Sequence, residues 1–230
     1  AAAYVPTSKL DLSEVQPDFV PVSFYKIFGY PTGLGCLLIH KNSFQKLKKP
    51  WFAGGTVTLV SVNTQDHYLT NTHERFEDGT LNYLAIPAIK AGLEYIESIG
   101  MDRITERVHA VTELLAAKLK ELHHSNGTPQ LKIFGPRDFS KRGGNMIMSF
   151  YDSNGTAIPT ELIELRASEQ NISIRTGCFC NPGVDEINSC ITTDELAGYF
   201  TTHERGNFSD MVNFIGKMRG SVRVSVGFIT

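Results

Sequence analysis

The sequence predicts an α/β fold, on three observations. Short apolar runs bounded by Gly or Pro occupy the first forty residues, helical periodicity runs from Leu84 to Leu122, and short strand-like runs alternate with helices from Leu131 onward. Layers of helix on sheet are the natural packing for such a pattern.

Taken in order, Phe19–Tyr25 and Gly33–Ile39 read as strands, joined by a loop over Lys26–Thr32 that carries Gly29 and Pro31. Residues 51–80 read as irregular, with Gly54-Gly55 at one end and Asp78-Gly79-Thr80 at the other. Leu84, Ile86, Ile89, Leu93 and Ile96 recur at mainly helical spacing, and Gly100 stops them. Asp102 is expected to cap a second helix with Ile104, Val108, Val111, Leu115, Leu119 and Leu122 on one face, ending at Ser125-Asn126-Gly127. Strands are then expected at 131–134, 145–150, 172–175 and 222–226, and helices at 160–168, 193–200 and 208–218. A strand-and-loop part (1–100) is thus followed by an α+β part (101–230), with the boundary expected between residues 100 and 130.

Composition narrows the function classes. The chain is 41% hydrophobic, enough for a sizeable core, and its 22 basic against 24 acidic residues argue against a nucleic-acid binder working through a basic surface. No apolar run reaches the roughly 18–20 residues of a membrane span. Four cysteines in a chain of this length do not form a disulfide framework, so a reducing, cytoplasmic setting is expected.

Three segments bear chemistry. In Ser23-Phe24-Tyr25-Lys26, a lysine among apolar residues loses hydration and holds its proton less firmly, as a Schiff-base amine must, while the neighbouring hydroxyls suit a phosphate. The plainer reading is a surface lysine lying along apolar neighbours. In Arg175-Thr176-Gly177-Cys178-Phe179-Cys180, the arginine suits a carboxylate and cationic company favours a thiolate. Two small buried cysteines in a turn fit the spacing equally well, and zinc lacks further ligands at suitable spacing. In Arg75-Phe76-Glu77-Asp78-Gly79-Thr80, a tight turn and a hydroxyl where a helix begins suit an anion, or simply a helix cap.

Together the three resemble a known family. Residues 23–33 (Ser23 to Gly33) look like the pyridoxal-phosphate lysine segment of the molybdenum cofactor sulfurases, a cysteine-desulfurase-like branch of the class V aminotransferases. Arg75–Thr80 is similar to that family's Arg-Phe-Glu-x-Gly-Thr, and Arg175–Gly183 to its cysteine loop, with order and separations alike over essentially the whole chain. The resemblance implies that 1–100 is the C-terminal part of a large mixed-sheet domain that binds pyridoxal 5'-phosphate, and 101–230 the small α+β domain. It implies Lys26 as the cofactor lysine, Ser23 and Tyr25 as phosphate ligands, and Thr80 as reaching the phosphate in the other subunit of a homodimer. Arg175 is implied to clamp the substrate α-carboxylate and Cys180 to carry a persulfide, with L-cysteine as sulfur donor and the molybdenum cofactor as acceptor. The roles of Cys178 and Cys190 are left open. No metal is expected.

The chain departs from that pattern in three places. It starts at Ala1 without Met, where the family places an aspartate just upstream, so a fragment with an incomplete cofactor site is expected. The cysteine loop continues Gly183-Val184-Asp185 where the family usually has Gly-Ala-Cys, and the family's carboxyl-terminal molybdenum-cofactor-binding domain is expected to lie outside this chain. A general cysteine desulfurase, another class V aminotransferase and a non-catalytic fragment are the rival expectations.

Overall fold

The computed structural model describes residues 2–230, apart from the side chains of Lys141 and Phe208. The chain divides into two compact units, one up to Thr105 and one from Glu106 to Thr230, and the division falls inside a helix.

In the first unit, β1 (Phe19–Ser23) and β2 (Gly35–Ile39) pair antiparallel, with Val20 opposite Leu38 and Ser23 opposite Gly35. Gly35 is required there, because a Cβ would lie 2.5 Å from the Val22 carbonyl oxygen. The connection is not wholly a loop. Tyr25–Phe28 forms one helical turn, α1, closed by Gly29 at φ 85°, whose N–H donates to the Tyr25 carbonyl. Only glycine takes that left-handed turn without cost, and nothing in Tyr-Lys-Ile-Phe breaks a helix.

The stretch expected to be irregular holds a hairpin of β3 (Val57–Val60) and β4 (His67–Leu69), with a register shift between Val57 and Leu59. Val57-Thr58-Leu59-Val60 is β-branched-rich, and pairing overrides its lack of alternation. 3-10 turns occupy Lys41–Lys46 and His73–Phe76.

The first long helix, α2 (Pro87–Ile99), begins later than the apolar spacing suggests, with Pro87 at its start and Gly100 closing it onto the Ile96 carbonyl. Proline lacks the N–H that a first helical residue leaves unpaired anyway, so it sets the boundary. Leu84 and Ile86 therefore precede the helix and are exposed. Gly92 permits close packing, since the Phe28 ring of α1 occupies the space its Cβ would take. The next helix, α3, runs Met101–Lys120, and Asp102 sits in its first turn, not at the cap. Its charge still favours the positive end of the helix dipole there.

In the second unit the later turns of α3 and helix α4 (Thr160–Glu169) pack on a four-stranded sheet of β5 (Leu131–Phe134), β6 (Asn145–Phe150), β7 (Arg175–Gly177) and β8 (Ser221–Ser225). The order is β5-β6-β8-β7, antiparallel throughout. β7 begins three residues later than the sequence predicts. Asn171, at φ 57°, turns the chain back after α4, and Ile172 donates its N–H to the Ala167 carbonyl instead of to a strand. Three helices follow β7: α5 (Pro182–Asn188), which the sequence did not predict, α6 (Thr193–Thr202) and α7 (Phe208–Ile215). Gly216, at φ 70°, stops α7 short of residue 218.

Ala116 of α3 meets Met146, Met148 and Val222 of the sheet in one buried cluster, with Leu115, Leu119, Ile133, Ile163 and Val224 around it. Because side chains alternate along strands, the residues between those core positions face the other way. Lys132, Ser149, Ser221, Arg223 and Arg175 accordingly share the sheet's opposite face.

Candidate active-site segments

Ser23 ends β1 and Tyr25-Lys26 form the following turn, so the hairpin register holds the three at one end of the β1–β2 ribbon. Lys26 is exposed, not desolvated as its apolar neighbours suggest, because the turn directs it outward while Phe28 packs on Gly92. Its Nζ lies 5.6 Å from the Tyr25 ring centroid. Thr80 is exposed on a separate segment, and α2 begins only at Pro87, so Thr80 is not where a helix starts.

The segment before Thr80 is held firmly. Lys49, its side chain only 4% exposed, pairs with Asp78 and donates to the Arg75 carbonyl at 3.1 Å. The hydrogen bond from Lys49 holds the Asp78 carboxyl below the ordinary carboxylate range, helped by Trp51. Gly79 donates its N–H to the Gly54 carbonyl at 3.0 Å. The Arg75 guanidinium lies 4.2 Å from the Phe44 ring centroid and 4.8 Å from that of Phe76, and its Nη2 donates to the Phe44 carbonyl at 3.1 Å. Arg75 and Asp78 are thus scaffold, and they present Thr80.

In the second unit the cysteine loop follows β7. Phe179 and Cys180 both adopt left-handed backbone, at φ 55° and 59°, which non-glycine residues seldom take. The turn leaves Cys180 exposed and Cys178 half-buried, and neither is in a disulfide. Arg175 and Arg223 stand directly opposite each other on β7 and β8. Like charges in that position repel unless an anion lies between them. Arg223 also lies over the Phe179 ring at 5.1 Å, and its buried Nε has no hydrogen-bond partner. Arg223 therefore joins the cysteine loop to the sheet face that bears Arg175, a placement the sequence reading missed. The signal was present: an arginine alternating with valines in Ser221-Val222-Arg223-Val224 points away from the core.

A second missed element anchors the loop. Asp185 of α5, its side chain 3% exposed, accepts from Arg219 Nε at 2.9 Å and from the Gly220 N–H at 2.7 Å. Arg219 is itself buried, and its Nη1 approaches Met211 Sδ at 2.8 Å. This pair ties the helix after Cys180 to the entry of β8, at the position where the loop departs from the family's usual sequence. The other cysteines differ in setting. Cys36 lies on β2, where burial pushes its thiol up, and Cys190 is exposed beyond α5. No group of three or more potential metal ligands occurs among the described residues, and no helix among them is long and apolar enough to cross a membrane.

The lysine turn and Thr80 thus belong to the first unit, and the cysteine loop with Arg175 and Arg223 to the second. The sequence profile described as Aminotransferase class-V matches residues 1–199, and the chain belongs to that family. Molybdenum cofactor sulfurases are similar over the whole chain. The protein of Homo sapiens is 37% identical over 238 residues, and that of Bombyx mori 41% over 242. Molybdenum cofactor sulfurase 3 of Aedes aegypti is 38% identical over 243. The chain covers 99–100% of itself in these matches but only 26%, 29% and 32% of those proteins, respectively. Among solved structures, the apo cysteine desulfurase of Thermococcus onnurineus NA1 superposes with a TM-score of 0.69 at 25% identity, covering 99% of this chain and 46% of that one. The cystine C-S lyase C-DES, in complex with its product cysteine persulfide, shares the fold at a TM-score of 0.63 and 16% identity, over 98% of this chain and 46% of that one.

Proposed function

We propose that this chain carries the sulfur-transfer machinery of a molybdenum cofactor sulfurase, moving sulfur from L-cysteine through a Cys180 persulfide to the molybdenum cofactor. The observation that carries the reading is the cysteine loop: an exposed Cys180, in no disulfide, on a left-handed turn whose Phe179 lies under Arg223, the strand partner of Arg175. The identity to molybdenum cofactor sulfurases over the full chain supports the sulfurase branch.

The donor set suits pyridoxal phosphate. Lys26 offers a primary amine and Ser23, Tyr25 and Thr80 offer hydroxyls, and none of these groups has a hydrogen-bond or ion-pair partner among the described residues. Lys26 would hold the cofactor's aldehyde carbon, and Ser23 and Tyr25 its phosphate, with Thr80 serving the phosphate of a second copy in a homodimer. When bound, the cofactor supplies an electron sink for the substrate α-carbon. Arg175 and Arg223 bind the α-carboxylate of L-cysteine through charge-assisted hydrogen bonds. Cys180 Sγ takes the substrate sulfur and becomes a persulfide. The electron pair of the broken C–S bond stays with the carbon fragment, and the Lys26 amine would supply the proton that completes alanine. A cytoplasmic setting accords with four unpaired thiols.

The test is sulfur release from L-cysteine with pyridoxal phosphate supplied, followed by reactivation of desulfo-xanthine dehydrogenase. Cys180→Ser abolishes both while cofactor absorbance persists, and Cys178→Ser leaves persulfide formation in place. Full sulfur release by Cys180→Ser would overturn the assignment. A general cysteine desulfurase is the second reading, favoured by the Thermococcus likeness. Transfer to an iron–sulfur scaffold without xanthine dehydrogenase reactivation would select it.

A further inference from the structure

Beside the second unit's sheet lies a cavity of about 300 Å³ that none of Arg175, Arg223 and Cys180 lines. Lys132, Ser149, Tyr151, Thr160, Cys190 and Lys217 provide its polar lining, and no acidic residue lines it. Its charge is therefore positive.

Three features point to an anion. Helix α4 begins at this wall, and its N-terminus has no side-chain cap, so its first N–H groups and the positive end of its dipole are uncommitted. Glu161, the acid of that first turn, is exposed and does not line the cavity. Thr160 is only 7% exposed, and its hydroxyl, which makes no hydrogen bond among the described residues, is not one of the sealed unsatisfied groups, so it is open to the cavity that it lines. Lys132, whose Nζ lies 5.1 Å from the Phe134 ring centroid, has no ion-pair partner among the described residues.

The cavity also presents a thiol. Lys217 is committed to Glu195 at 2.7 Å and to the Cys190 carbonyl at 2.7 Å, so it fixes the Cys190 backbone against the wall. Cys190 itself is held in the left-handed region at φ 53°. Its charge bears on the Tyr151 phenol, which burial and Cys190 together push up. An anion-seeking cavity and a solvent-reached thiol thus share one space.

We propose that this cavity binds a small carboxylate-bearing disulfide and that Cys190 is thiolated there. The disulfide comes from solution and is the oxidant. The Cys190 thiolate, having lost its proton to solvent, attacks one sulfur and forms a new S–S bond. The original S–S bond breaks, and its electron pair leaves with the departing thiolate, which is thereby reduced. The carboxylate lies against Thr160, the α4 N-terminus and Lys132. The site stands independently of the sulfur-transfer reading, since none of that reading's residues lines the cavity.

The experiment compares two small symmetric disulfides of opposite charge, 3,3'-dithiodipropionate and cystamine, on the whole chain. Mass spectrometry follows the peptide that contains Cys190, and the same cysteine in urea is the reference. Field focusing in such a cavity raises the dianion-to-dication rate ratio about tenfold over the unfolded chain. Lys132→Met and Thr160→Val both lower that ratio, and Thr160→Ser preserves it. Inorganic phosphate slows the reaction of the dianion. A native ratio equal to that in urea, or one that Lys132→Met leaves unchanged, overturns the proposal. Lys132 lies on the exposed side of β5, so that variant decides the matter even if Thr160→Val fails to fold.

Discussion

Replacing Asp185 by alanine removes the carboxylate that holds α5, and so the cysteine loop, to the start of β8. The side chains of Asp185 and Arg219 are 3% and 8% exposed, and the Gly220 N–H shares the same carboxylate. Deleting Asp185 leaves the Gly220 N–H unpaired and the buried Arg219 with the weaker Glu186 contact at 3.9 Å, which costs about 3 kcal/mol, the lower end for breaking a buried pair. Against a total stability of about 5–15 kcal/mol that is a large fraction, and the melting temperature should fall by roughly 6–12 °C. Urea and thermal unfolding followed by circular dichroism measure it on the full chain. The double variant Asp185→Leu with Arg219→Met should recover most of the loss, because removing both charges removes the desolvation cost as well. An Asp185→Ala chain within about 1 kcal/mol of the parent, or a double variant no better than the single, would refute the buried-pair argument.

Three further outcomes follow from named contacts. Gly92→Ala drives a methyl into the Phe28 ring and should lower stability by about 1–3 kcal/mol in urea unfolding, with Phe28→Ala in the same chain relieving the clash. Arg75→Lys loses the planar stack between Phe44 and Phe76 and should cost about 1–2 kcal/mol, with protease cleavage near Gly79 becoming faster. The Glu195 carboxyl is held below its ordinary value first by the hydrogen bond from Lys217 and then by Thr192. A depressed folded value means the contribution is fully present above the unfolded carboxylate's value of about 4.3. It is lost as pH falls through the folded value, and Lys217→Met should flatten that acid limb in pH-dependent unfolding.

Much of the fold was legible because periodicity and punctuation are local signals. The apolar face of α3 appears in the spacing of Ile104, Val108 and Leu115, and β5, β6 and β8 lie close to where their short apolar runs predict. Boundaries set by pairing or by one backbone angle were not legible. β7 moved because Asn171 turns left-handed, and α1 formed because Gly29 closes it. The β3–β4 hairpin was hidden because its strands do not alternate, and their partners are chosen by register.

Residue types and their order were enough to give the family and the candidate lysine, threonine, arginine and cysteine, since those chemistries depend on what a side chain is. Exposure and opposition were decided by the tertiary structure. Lys26 is exposed because α1 turns it outward while Phe28 seats on Gly92, 64 residues away in a contact no local pattern encodes. Arg223 meets Arg175 because β8 pairs with β7 in one register, and Asp185 reaches Arg219 because the chain folds α5 back over that strand's start. Contacts between residues distant in sequence cannot be read from a window of neighbours, and the arrangement around Cys180 consists of such contacts.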